Sequence, residues 1–192
     1  ALGKLEAQEA ISALLAALED EDRGVRRAAV EALGKLEAQE AIPALLAALE
    51  DEDRNVRVAA AETLGKLEAQ EATSALLAAL EDEDRSVRRA AVEALGKLEA
   101  QEAIPALLAA LKDGDWGVYR AAVEALGNLG AREAIPALLA ALEDEGGDIR
   151  RAAAEALGKL EAQEAIPTLL VRLVEDEDRD VRRATAEALE KL

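Results

Sequence analysis

The pair Leu-Gly recurs at Leu2-Gly3, Leu33-Gly34, Leu64-Gly65, Leu95-Gly96, Leu126-Gly127 and Leu157-Gly158, every step being 31 residues. A fixed period of this size confines a chain to repeat architectures, in which each copy is one supersecondary unit that buries its apolar face only against its neighbours. The next copy is Leu189-Glu190, 32 residues on, and matching Ile166–Val181 to Ile135–Ile149 puts the extra residue near Val174. No linker separates the copies, so one domain over residues 1–192 is expected.

Each copy reads as two helices. Ile42, Leu45, Leu46 and Leu49 fall at i, i+3, i+4 and i+7 and line one face of a first helix, A. Val56, Ala60, Leu64 and Leu67 fall at i, i+4, i+8 and i+11 and do the same for a second, B. Between them runs Glu50-Asp51-Glu52-Asp53, whose last Asp is placed as the N-cap of helix B. Pro43, Pro105, Pro136 and Pro167 share one phase at the start of helix A, where a missing N–H does least harm. Composition agrees: 47 Ala and 32 Leu are helix formers, and Ala lets helices approach closely. The predicted fold is all-α, a right-handed α-solenoid of about six stacked helix pairs. A heptad coiled coil fits worse, because 31 is not a multiple of 7 and the Leu-Gly and Pro positions would break its seam.

The strings Asp53-x-x-Val56-Arg57-x-x-Ala60-x-x-x-Leu64-Gly65 and Ala41-Ile42-Pro43-Ala44-Leu45 recur with small changes along the whole chain. They resemble the short HEAT-like repeats named after phycobilisome lyases. The resemblance implies an α-solenoid whose helix B lines a concave binding surface, and a family that holds scaffolds, lyase subunits and engineered binders. One departure is consistent. The family has a second Gly shortly after Leu-Gly, and here that place holds Glu6, Glu37, Glu68, Glu99 and Glu161, with only Gly130 keeping it. The turn from B to A is therefore expected to lack its left-handed glycine and to be tighter, more helical or mildly strained.

The absence of His and Cys removes the usual general base, thiolate chemistry and the usual zinc ligands, so no catalytic residue, metal site or cofactor is expected. A net charge of −18 repels phosphate backbones and anionic lipid, which places nucleic acid and membrane surfaces outside the expected partners. No apolar run approaches the ~20 residues that cross a bilayer and no basic-then-apolar leader stands at the start, so the expected compartment is the cytoplasm. The acidic turns lack the spacing of a calcium loop and read as caps that also pair with the Arg of the Val-Arg motif in the same or the next copy. Glu31, Glu62, Glu93, Glu155 and Glu187 stand four residues before a Lys, an order that predicts surface pairs.

Two features point to binding. Arg27, Val58, Arg89, Arg120, Arg151 and Arg183 share one phase of helix B and form a row that either grips carboxylates of a partner or is neutralised by a Glu four residues later. The fourth copy breaks the pattern: Lys112-Asp113-Gly114-Asp115-Trp116 replaces the acidic turn, and Tyr119 replaces the motif Arg. Trp116 and Tyr119, the only aromatics, are expected to face the same way, and the fifth copy adds Asn128, Gly130, Arg132 and Gly146-Gly147. Trp, Tyr and Arg are common interface anchors. The expectation is a non-catalytic scaffold that binds a protein or peptide through Trp116, Tyr119, Arg89, Arg120 and Arg151, as a monomer or with weak end-to-end association. Drift of one copy is the plain alternative for these residues. An engineered or excised array without a natural ligand, and a bilin lyase-like accessory protein, are the alternatives for the whole.

Overall fold

Every acidic turn ends in a residue that starts a helix. The Asp53 carboxylate accepts the backbone N–H of Asn55, and Asp22, Asp84, Asp115 and Asp178 cap their helices likewise. The helices that follow are the B helices: α2 (Arg23–Lys35), α4 (Arg54–Lys66), α6 (Arg85–Lys97), α8 (Trp116–Asn128), α10 (Gly147–Lys159) and α12 (Arg179–Leu189). α10 instead has Gly146 at its N-cap, which offers no side chain to cap it. The A helices are α3 (Ile42–Ala48), α5 (Thr73–Ala79), α7 (Ile104–Ala110), α9 (Ile135–Ala141) and α11 (Ile166–Glu175), each entered through a three-residue 3-10 turn such as Gln39–Ala41. Pro sits in the first turn of α3, α7, α9 and α11, as its phase predicts. α1 (Leu2–Ala17) carries the first A helix. This computed structural model describes the backbone from residue 2 and side chains from residue 8 to 192, so the Glu6 side chain lies outside the described residues.

By contact the chain divides into two compact units, an N-terminal half (Ala1–Leu98) and a C-terminal half (Glu99–Leu192). In each half the closest contacts between consecutive repeats run through the B helices: α2 on α4 and α4 on α6 in one, α8 on α10 and α10 on α12 in the other. The Gly of Leu-Gly makes this possible. A Cβ on Gly65 would stand 2.9 Å from the Ala94 Cα, and one on Gly127 2.9 Å from the Ala156 Cα. The cores are aliphatic, with Leu33, Leu45, Leu64 and Leu76 fully buried in the N-terminal half and Leu107, Leu126, Leu138, Leu157 and Leu169 in the C-terminal half.

The turn from B to A corrects one expectation. In four copies it is neither tighter nor more helical: Glu37, Glu68, Glu99 and Glu161 adopt the left-handed conformation themselves, with φ of 51, 51, 51 and 49°, close to Gly130 at 68°, whereas the backbone of α1 continues as helix through Glu6. The motif is a Schellman cap. The Ala38 N–H donates to the Leu33 carbonyl at 3.1 Å and the Glu37 N–H to the Gly34 carbonyl at 3.3 Å. Helix termination requires that geometry whatever the residue, so the strain anticipated for a non-glycine residue is present.

The extra residue near Val174 is absorbed by lengthening α11 to 10 residues against 7 in the other A helices. Leu170, Val171 and Val174 stand exposed on it.

Candidate functional site

At Asp51, Asp82 and Asp176 the second acidic residue of the turn is a seat for the motif Arg of the preceding repeat. Arg57 reaches from α4 so that its Nε and Nη2 donate to the two Asp82 carboxylate oxygens at 2.8 and 3.0 Å, while Nη1 donates to the carbonyls of Asp51 and Glu52 at 2.9 and 3.3 Å. Arg26 holds Asp51 in the same way, and Arg150 holds Asp176. A planar fork meets a carboxylate in two parallel bonds. These bonds keep the three guanidiniums charged against the burial that opposes them. The Arg150 hydrogen bonds also hold the Asp176 carboxyl below the ordinary carboxylate range despite its burial. Burial pushes Asp51 upward, but the Arg26 hydrogen bond and the Asp53 N–H outweigh it. The acidic turns are thus caps and seats, and the Arg that each of these carboxylates holds comes from the preceding repeat rather than from the same or the next one.

A second rung runs beside the first in the N-terminal half, where Arg23 and Arg54, first residues of α2 and α4, pair with the capping Asp53 and Asp84 at 3.1 and 3.0 Å. A third device joins the far ends of the same helices. The Gln39 amide donates to the Leu67 carbonyl at 3.0 Å and Gln70 to Leu98 at 3.0 Å, so each Gln closes an orphan carbonyl of the next B helix. Arg132 replaces Gln at this phase and donates to Leu160 at 2.8 Å. Its recurrence at Gln39, Gln70, Gln101 and Gln163 was the available signal for this role, and helical periodicity alone does not reveal it.

Both Arg rungs are missing between repeats four and five. Trp116 stands in the phase of Arg23 and Arg54, and Gly146 in the phase of the Asp they pair with. Tyr119 stands in the phase of Arg57, and the carboxylate it faces, Asp144, is retained. Trp116 and Tyr119 differ in burial. Trp116 is 58% exposed, with the Arg120 guanidinium 5.7 Å from its ring centroid, a cation–π contact. Tyr119 is half-buried toward the following repeat, and its hydroxyl is pushed above its ordinary value by burial first and by the Asp144 charge second. The motif phase reaches into the seam between repeats, as Arg57 does toward Asp82, which accounts for the burial of Tyr119.

The arginine row is neutralised. Arg27, Arg89, Arg120, Arg151 and Arg183 pair with Glu31, Glu93, Glu124, Glu155 and Glu187, the Arg120 bond being 2.7 Å and the others 3.3 to 3.8 Å. Those Glu residues therefore face Arg rather than Lys, and the Glu-to-Lys pairs do not occur among the ion pairs of the described residues. Arg89 belongs to the N-terminal half, whereas Trp116, Tyr119, Arg120 and Arg151 belong to the C-terminal half. No cluster of carboxylates among the described residues is arranged to hold a metal ion. Nor is any described helix long and apolar enough to cross a membrane.

A family model of HEAT repeats matches residues 1–54, 42–121 and 104–190. The chain is a HEAT-repeat protein. Among solved structures, this HEAT-repeat chain is similar to one in the complex of CpcE and CpcF of phycocyanin lyase from Nostoc sp. PCC7120, at 33% identity and a TM-score of 0.75, covering 93% of this chain and 75% of that one. It is also similar to a designed armadillo repeat protein in complex with the peptide (KR)4, at 22% identity and a TM-score of 0.70, covering 93% and 97%. An engineered protein follows at 23% and 0.65, covering 94% and 95%. The last two likenesses concern the fold alone. No curated protein sequence matches.

Proposed function

We propose that this HEAT-repeat chain is a non-catalytic scaffold that binds a protein or peptide on the face of its B helices. The observation that carries the reading is Trp116: the chain's one Trp, 58% exposed, on the B helix where the arginine ladder stops. Trp116 is the principal anchor, and Tyr119 forms the half-buried edge beside it. Arg120 props the indole, and Arg151 occupies the same row one repeat on. Arg89 has this role separately on its own repeat. For these arginines to orient a partner's carboxylate, each exchanges its Glu at i+4 for it, a small cost because exposed pairs are weak. The test is affinity capture with the wild-type chain beside a Trp116→Ala, Tyr119→Ala variant, followed by calorimetry on what is retained. A partner held by the first and weakened by more than about 2 kcal/mol in the second is the expected result for anchors. Identical captures overturn the assignment.

The 33% identity to a chain of the CpcE and CpcF complex favours a second reading, a lyase-like accessory protein. A saturable absorbance shift on mixing with a bilin supports it, and an unchanged spectrum removes it.

A further inference from the structure

We infer that the seam between repeats four and five is a seat for an arginine side chain of the bound segment. The inference rests on the reading of this face as a protein or peptide site, and adds the chemistry of what enters it. The other seams of the molecule display what the seat accepts. At Asp82 and at Asp176 the carboxylate receives Nε and Nη2 of an arginine at 2.8 to 3.0 Å. Asp144 retains the turn that sets up this geometry: its Oδ1 accepts the Gly146 N–H at 2.8 Å, as Asp51 accepts Asp53 N–H and Asp82 accepts Asp84 N–H, both at 2.8 Å. Only the guanidinium is gone, because Tyr119 carries no charge to supply it. Among the described residues no cation pairs with Asp144, although Glu143 and Asp148 on either side are held by Arg172 and Arg151.

The surroundings select arginine over lysine. Loss of both rungs leaves aromatic rings where the seam between repeats two and three has the guanidiniums of Arg54 and Arg57, so an entering group meets Asp144 together with Tyr119, and Trp116 stands one helical turn away. A guanidinium binds a carboxylate through two parallel bonds and stacks on an aromatic face, whereas an ammonium does neither as well. Access is open: Asp144 and Tyr119 are both partly exposed, and Gly146 in place of the capping Asp removes a side chain from the entrance. The net charge of −18 draws a basic segment toward this surface before any specific contact forms.

The probe is the blocked tetrapeptide Gly-Arg-Arg-Gly, with versions carrying citrulline or lysine in place of arginine. Trp116 fluorescence and calorimetry read binding near physiological salt, where loose charge attraction is screened. Saturable binding is expected, weakened at least about tenfold in Asp144→Asn and in Tyr119→Arg, whose own guanidinium fills the seat, and weakened similarly for the citrulline and lysine peptides. Asp20→Asn, at an exposed turn of repeat one, should change affinity less than about twofold, since it removes the same charge away from the seat. Absence of saturable binding overturns the inference, as does equal weakening by Asp20→Asn, or full affinity in both Asp144→Asn and Tyr119→Arg. Loss of binding in Trp116→Ala with full affinity in Asp144→Asn removes the arginine seat and leaves the aromatic site standing. Full affinity in all three variants removes both.

Discussion

The seam between repeats two and three and the seam between repeats four and five join their B helices in the same way and hold their turns differently. In both, a glycine lies against an alanine, Gly65 on Ala94 and Gly127 on Ala156. In the first, Arg57 and Arg54 fasten Asp82 and Asp84, whereas in the second Tyr119 and Trp116 stand at those phases and no guanidinium arrives. Two repeats can therefore stack on close apolar packing with the charged rungs removed. The rungs are separable from the fold, which leaves one seam open to other uses.

The largest effect should treat the two seams alike. Gly65→Val and Gly127→Val each force a side chain into backbone and should each cost about 3 kcal/mol in urea unfolding, as overpacking does. A large loss at one seam alone would break the premise that their packing is equivalent. Next, Arg57→Ala leaves Asp82 without its guanidinium and should cost about 2 kcal/mol, below the figure for a fully buried pair because both groups retain some solvent contact. Tyr119→Ala should cost less than that. Equal losses would mean that Tyr119 supports its seam as strongly as an arginine does. Tyr119→Arg should complete the missing rung and gain about 1 kcal/mol. A loss in that variant would show that the seam has repacked around the aromatic ring.

A smaller effect sharpens the comparison at the other end of the B helices. Glu68→Gly relieves a left-handed glutamate and should gain about 0.5 to 1 kcal/mol, and Gly130→Glu should lose as much. The smallest effects follow pH. Asp51, Asp84 and Asp176 are held below their ordinary values in the folded chain, so their contribution is complete above about pH 4 and is lost as pH falls through their folded values. Tyr119 is shifted upward, so its contribution is complete below about pH 10 and is lost as pH rises through its folded value. Because Tyr119 is the chain's one tyrosine, an ultraviolet titration reads it directly, and Asp144→Asn should move its midpoint down. An unmoved midpoint would separate the two groups.

Much of this was legible in the 31-residue period. It places the B-helix caps, the prolines and the buried faces of A and B, because each follows from local hydrogen-bonding needs that every copy repeats. The conformation at Glu68 was not legible, since the residue type argues against a positive φ and only the Schellman geometry demands it. The burial of Tyr119 was less legible: helical spacing groups it with Trp116, and only the structure shows that its phase, that of Arg57, is covered by the next repeat. Asp144 drew no notice in the sequence, being one carboxylate in an acidic turn, until the absence of its guanidinium set it apart.

The bonds from the motif arginines to the carboxylates of the turns share a polarity. Within each half, Arg26 and Arg57, like Arg150, donate toward the following repeat, and Asp51, Asp82 and Asp176 accept from the preceding one, while Lys159 and Arg172 donate the other way, to Asn128 and Glu143. In this device a repeat has a donor side and an acceptor side, which gives the seams within each half a head-to-tail grammar. Copies transplanted in the same sense should join without redesign, while an inverted junction would set donor against donor. Repeat four is the exception in that grammar, because it offers its successor an aromatic ring in place of the motif donor.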